Sequence, residues 1–222
     1  VYFCPTAKRE ELEMIDVRAG DKVVFIGDSI TDAGRTHDDQ QGLGYGYVRH
    51  AAGAFALDNP RHSVSFFNRG VGGDRVRDLE SRWTRDVVKV QPQIVSIAVG
   101  INDTGRRYDQ NDATTTASFE ANYRLILERT KTETTASILV LEPFVLPVLT
   151  AQIAYREDLD PKIQVVRRLA EEFGATLLGT DSLFAQHASL SSSRELAFDG
   201  IHPTAAGHLL LARAWLSLVR AV

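Results

Sequence analysis

Cysteine is almost absent from this sequence. Cys4 stands alone, so there is no internal disulfide, and His and Cys do not gather at zinc-ligand spacing. Packing has to hold the fold together. Long apolar runs are missing too: none approaches the roughly 20 residues that cross a bilayer. The opening stretch, with TAKREELEMIDVRAGD, is too charged for the apolar region of a signal peptide. Nor is there a basic block. Lys and Arg number 25 against 29 Asp and Glu, and the net charge of -4 is spread along the chain, so nothing offers itself to a phosphate backbone and nucleic acid is not an expected partner. Repeats, low-complexity segments and linkers are absent. The expectation is a soluble protein without membrane or nucleic-acid partners and without metal or cofactor, placed in the cytoplasm. Because the sequence opens on Val1 and not on Met, secretion stays open.

What is present fits one domain. At 222 residues and 44% hydrophobic, the chain can bury one good core. A single domain over 1–222 is expected, with 1–20 as an extension ahead of the first strand. Short apolar runs read as strands at KVVFI (22–26), SVSFFN (63–68), QIVSIAVG (93–100), SILVLEP (137–143) and ATLLGT (175–180). Several are apolar on both faces, which suits a parallel sheet covered on two sides. Helical patterns lie between them at 47–57, 75–88, 117–130, 160–173 and 205–219. Gly174 stands where a C-cap glycine belongs, and Pro203 stands at a helix start. The βα alternation predicts an α/β fold of three layers, doubly wound and flavodoxin-like, with a mostly parallel five-stranded sheet and helices on both faces. The least periodic stretches, 32–46 and 103–116, both follow strands at their carboxyl ends, where such folds bind ligands.

The stretch VFIGDSITD (24–32) runs an apolar strand into Gly27, Asp28 and Ser29. Alone, Gly-Asp-Ser reads first as a helix cap. FDGIHPTAAGH near the C-terminus changes the balance: Asp199 and His202 stand three apart on a loop held by Gly200 and Pro203. A serine hydroxyl needs a base to take its proton, and the base needs a third group to hold its orientation. His202 and Asp199 can fill those roles. The other histidines, His37, His50, His62, His187 and His208, lack such a setting and read as surface or structural. Two further strand ends offer donors for an oxyanion: Gly70, Gly72 and Gly73 in NRGVGGD, and Asn102 in VGINDT. Each also has an ordinary reading as a turn or cap.

Taken together, GDSIT, GVGGD, GIND and DGIHP resemble, in order and spacing, the four blocks of the SGNH or GDSL hydrolases over nearly the whole chain. The resemblance implies Ser29 as nucleophile, the backbone N–H groups of Ser29 and Gly73 with the Asn102 amide as oxyanion hole, and His202 as base oriented by Asp199. The first block differs slightly, with Ile-Thr after Gly-Asp-Ser in place of Leu-Ser, and a longer leader precedes the first strand. NRGVGGDRVRDLESRW and GIHPTAAGHLLLARAWL are similar to the branch with acetyl-xylan esterases and carbohydrate deacetylases. That branch commonly has Trp before the last Asp, where this chain has Phe198.

The resemblance therefore implies a metal-independent serine esterase acting on a small-molecule acyl ester, an acetylated oligosaccharide, through an acyl-enzyme. Arg75, Arg106, Arg107 and Tyr108 are candidates to line its cleft, although a solvated charged face is their ordinary role. Family membership equally permits a lysophospholipase or thioesterase. Outside the class stand a non-catalytic flavodoxin-like binding module and a phosphatase built on Asp28. The first leaves Asp199 and His202 unexplained; the second lacks a second aspartate two residues on. Homo-oligomers are common among such esterases, and Trp83, Phe144 and Trp215 are candidates for an interface, though their usual place is a core.

Overall fold

The structure, a computed structural model, describes residues 14–39 and 42–222. Cys4, most of the expected N-terminal extension and residues 40–41 of the 32–46 loop lie outside the described residues. Seven strands are formed by the described residues: β1 (Ile15–Val17), β2 (Lys22–Gly27), β3 (Ser65–Gly70), β4 (Ile94–Ala98), β5 (Ser137–Leu141), β6 (Thr176–Leu178) and β7 (Val219–Ala221). The five expected strands build one sheet in the order β3-β2-β4-β5-β6, with every pair parallel. The remaining two were not anticipated. β1 and β7 pair with each other in a separate parallel ribbon, and three residues apiece are too few to show a period. Residues 15–17 of the expected extension thus belong to the fold.

Helices cover both faces of the sheet. α1 (Ser29–Asp32) is a single turn directly after β2, and α2 (Tyr47–Asp58) and α3 (Val76–Asp86) flank β3. α4 (Ile101–Asp109) and α5 (Thr116–Glu133) follow β4, α6 (Tyr155–Phe173) joins β5 to β6, and α7 (Thr180–Ala188), α8 (Ser193–Leu196) and α9 (Ala205–Leu216) close the chain. α4 corrects the expectation of a loop over 103–116. Its buried side carries Asp103 and Thr104 beside Ile101, so a search for apolar periodicity passes it by. α6 begins five residues before its expected start, and Pro161, a residue that usually sits in a first turn, lies in its second.

Side chains of β2 alternate between the two layers, as a pleated strand requires. Val23 and Phe25 join the cluster that contains Tyr47, Phe55 and Trp215. Val24 and Ile26 join Val76, Trp83, Tyr123 and Leu169 on the opposite face. Phe25 is the hub of its layer, with ring centroids 5.7 Å from Tyr47, 6.4 Å from Phe66 and 4.9 Å from Trp215. The indole N–H of Trp215 donates to Ser96 Oγ at 3.1 Å, which satisfies both polar atoms inside the core. Trp83, Phe144 and Trp215 are all buried, so none of them offers surface to an interface. No helix of the described residues is long and apolar enough to cross a membrane.

The sheet also sets the functional edge. Gly27 lies in register with Gly70 on one side and with Ala98 on the other. β3 and β4 leave β2 in opposite directions, so this level end is the switch point of the doubly wound order.

Phe25→Ala should cost about 3–5 kcal/mol, because the ring leaves a cavity ringed by three aromatic neighbours that cannot all collapse into it. A urea unfolding curve measures this as a lower midpoint at unchanged slope.

Candidate active site

The serine stands where the strand turns into α1. Gly27 permits the turn, since a Cβ there would lie 2.1 Å from the Ala98 carbonyl oxygen of the adjacent strand. Asp28 is the cap that the local sequence suggests: its Oδ1 accepts the Ile30 N–H at 3.0 Å. Ser29, the first residue of the helix, is therefore free of capping, and its Oγ lies 2.9 Å from His202 Nε2. His202 Nδ1 in turn lies 2.6 Å from Asp199 Oδ2. The other oxygen of Asp199 accepts the backbone N–H groups of Ile201 at 2.9 Å and His202 at 2.7 Å. Partial burial pushes the Asp199 carboxyl up, but the bonds from the His202 side chain and from these two N–H groups outweigh it and hold the group below its ordinary value. An ionised Asp199 selects the Nδ1–H tautomer and turns the Nε2 lone pair toward Ser29.

A tight loop presents the Asp199–His202 pair. Gly200 has φ of +88°, and a Cβ there would meet the Leu146 carbonyl oxygen at 2.4 Å, so glycine is required both for conformation and for space. Its own carbonyl accepts the Leu146 N–H at 2.8 Å. Gln152 Nε2 donates to the Asp199 carbonyl at 2.7 Å, while its Oε1 accepts from Val148 and Leu149, both at 3.0 Å. The segment after β5 thus clamps the loop. Nothing local marks Gln152 for this role, and the sequence reading missed it.

Opposite Ser29, residues 70–74 form a loop whose backbone groups are almost fully assigned. The Gly70 N–H donates to Asn68 Oδ1 at 2.8 Å, and its carbonyl accepts Arg35 Nε at 2.7 Å. The Val71 N–H donates to the Gly27 carbonyl at 3.0 Å and the Gly72 N–H to Asp32 Oδ2 at 3.1 Å. The Gly73 carbonyl accepts from Arg106, and the Asp74 N–H returns to the Val71 carbonyl at 3.2 Å. The Asp74 carbonyl accepts Asn102 Nδ2 at 3.0 Å, which fixes the orientation of that amide. Among the N–H groups of this loop, that of Gly73, a residue with φ of +82°, is the one without a partner among the described residues. Ser29, Gly73, Asn102, Asp199 and His202 are thereby gathered at the level ends of β2, β3 and β4. Arg82 braces the same edge from below, donating to the Gly27 carbonyl at 3.1 Å and the Arg69 carbonyl at 2.7 Å.

Other candidates are placed elsewhere. Arg75 is buried and paired with Asp112 at 2.8 Å. Arg107 pairs with Glu157 and Asp158, both at 3.2 Å, and Tyr108 stacks on Tyr155 with its hydroxyl on the Ala154 carbonyl. Arg107 and Tyr108 serve the packing of α4 against α6, and Arg75 ties the start of α3 to the segment after α4. His208 accepts the Tyr47 N–H on Nδ1, and burial, aided by His50 and His202, lowers it to about 4, so it is a neutral structural histidine. Phe198 is 55% exposed and lies parallel to the His202 ring at 6.0 Å, facing out beside the site.

The model of the GDSL-like lipase/acylhydrolase family matches residues 25–210. The chain is 35% identical over 208 residues to an acetylxylan esterase of Geobacillus stearothermophilus, covering 90% of this chain and 94% of that one. A crystal structure of an acetylxylan esterase from the same organism matches with a TM-score of 0.84 at 34% identity, over 92% of this chain and 98% of the other. A variant from that organism, an acetyl-xylooligosaccharide esterase, matches with a TM-score of 0.85 at 34% identity, over 93% and 99%.

Two carboxyls close to the site are buried. Burial raises Asp28 to about 7 against the opposing pull of the Ile30 N–H and of His202, and it raises Asp103 to about 7 against the Val76 N–H and Lys162. A folded-state value above the unfolded one means that the folded form keeps the proton longer. The resulting stability is complete below the ordinary carboxylate range and is lost as pH rises through about 7. Asp28→Asn keeps an acceptor for the Ile30 N–H and cannot ionise. Relative to the parent it should gain stability as pH rises from about 4.5 to about 7.5, visible in urea midpoints across that range; a constant difference would mean that Asp28 does not titrate in this window.

Proposed function

We propose that this chain, which belongs to the GDSL-like lipase/acylhydrolase family, is a serine esterase that removes acetyl groups from a carbohydrate through an acyl-enzyme. That it is a carboxylic ester hydrolase follows from the family and from the acetylxylan esterase it resembles. The observation that carries the finer reading is the unbroken relay from Ser29 Oγ to His202 to Asp199, with contacts of 2.9 and 2.6 Å, facing an unused N–H at Gly73.

In this reading His202 Nε2 takes the hydroxyl proton as Ser29 Oγ attacks the carbonyl carbon. The carbonyl oxygen becomes an oxyanion and receives the N–H groups of Ser29 and Gly73 and the second hydrogen of the Asn102 amide. Asp199 steadies the imidazolium meanwhile. Collapse of the intermediate breaks the ester C–O bond, and His202 returns its proton to the departing sugar oxygen. A water molecule then repeats the attack on the acyl-Ser29, giving its proton to His202 and releasing acetate and free serine.

Two features favour an acetylated sugar as the substrate. Exposed Phe198 beside His202 offers an apolar face on which a sugar ring can lie, and the relatives are named for acetylated xylan and xylooligosaccharides.

Ser29→Ala and His202→Ala, each folded, should lose most turnover on an aryl acetate, and a fluorophosphonate should label the parent at Ser29. Wild-type turnover by Ser29→Ala would end the nucleophile assignment. Asn102→Ala should lower kcat by about 10² to 10³ with a much smaller change in KM, because the amide serves the oxyanion more than the ground-state carbonyl. Acetyl esters should be turned over faster than esters of about eight carbons; rising kcat/KM with chain length would point to a lysophospholipase or thioesterase instead.

A further inference from the structure

We infer that Asp32, backed by Arg35, is a positioning residue that sets the distance between the nucleophile and the oxyanion hole. The inference rests on the serine esterase reading above. Asp32 is the last residue of α1, the one-turn helix whose first residue is Ser29. Its Oδ2 accepts the Gly72 N–H at 3.1 Å, and its Oδ1 accepts the Arg35 N–H at 3.1 Å. Arg35 then reaches back with Nε to the Gly70 carbonyl at 2.7 Å. One side chain and the residue it anchors therefore grip the loop at 70 and at 72, immediately before the unpartnered Gly73 N–H.

The packing shows that the grip is direct. A Cβ on Gly70 would lie 2.1 Å from the Asp32 backbone nitrogen, and one on Gly72 would lie 4.0 Å from Ser29 Cβ. The end of α1 and the loop thus touch backbone to backbone, with no side chain between them to adjust. Asn68 adds a fixed origin by donating to the Thr31 carbonyl at 2.7 Å while accepting the Gly70 N–H. A carboxylate is the fitting acceptor here because its two oxygens accept the two N–H groups separately. Its charge would disfavour a nearby oxyanion if left bare. The Arg35 guanidinium stands near enough to offset that charge, and His37 Nε2 lies 3.0 Å from Oδ2. The Asp32 side chain is only 13% exposed, so water is a poor substitute for any bond it loses.

A residue acting this way should affect the transition state and not substrate binding. Asp32→Asn retains one acceptor and places a donor against the N–H groups, and Arg35→Met removes the bond to Gly70. Each should lower kcat on an aryl acetate by about tenfold to a hundredfold, counted per active site titrated with fluorophosphonate. KM should stay within about threefold, and the affinity for methylboronic acid, which forms a tetrahedral adduct, should fall by the same factor as kcat. Asp32→Glu, which restores the charge with a longer arm, should recover part of the rate. Unchanged kcat and boronate affinity in folded variants, or a loss confined to KM or to the titratable fraction, would overturn the positioning role while leaving Ser29 as nucleophile. Failure of the fluorophosphonate to label Ser29 in the parent protein would overturn both readings.

Discussion

The hydrogen-bond register of three parallel strands is the constraint on which the site depends. Because Gly27 is level with Gly70 and with Ala98, the loops that follow β2, β3 and β4 leave the sheet at one height and within reach of one another. A slip of one residue in either pairing would turn every side chain of the moved strand to the opposite layer. The two layers around β2 are too unlike for that, with Phe25 wedged among aromatic rings on one side and Val24 and Ile26 against α3 and α5 on the other. The packing of the core thereby sets the geometry at the edge.

Much of this was legible in the sequence, and the reasons are physical. Strands buried on both faces appear as continuous apolar runs, and the Gly-containing blocks after them mark where the backbone has to turn sharply or approach closely. Gly27, Gly73 and Gly200 each have such a requirement, whether a strand 2.1 Å away or a positive φ. α4 was not legible because its inward face is polar. The inner side of that helix belongs to a network in which Lys162, fully buried, pairs with Asp158 and donates to the Asp103 carbonyl at 3.2 Å. A buried lysine leaves no mark on hydrophobic periodicity, and its partners sit 4 and 59 residues away.

The residues that hold the site in place were the least visible. Gln152, Asp32, Arg35 and Arg82 look like ordinary surface polar residues in their own stretches, and only contact across the fold reveals what they hold. Asn68 is the exception in principle. An asparagine closing the largely apolar run SFFN is out of place in a strand, and its bonds to the carbonyls of Thr31, Asp32 and Leu43 and to the Gly70 N–H explain its presence.

The loop from Gly70 to Asp74 carries a consequence for how such a protein can change over generations. Every residue except proline carries a backbone N–H, so few substitutions would delete the one at Gly73, and its φ of +82° penalises any side chain there. Inherited variation reaches it more gently through the side chains that hold the loop, namely Asp32, Arg35, Asn68 and Arg106. Those four side chains act as a set of adjusting screws around a part that is itself hard to change. A lineage could retune its catalytic rate by altering them while the residues facing the substrate stay the same.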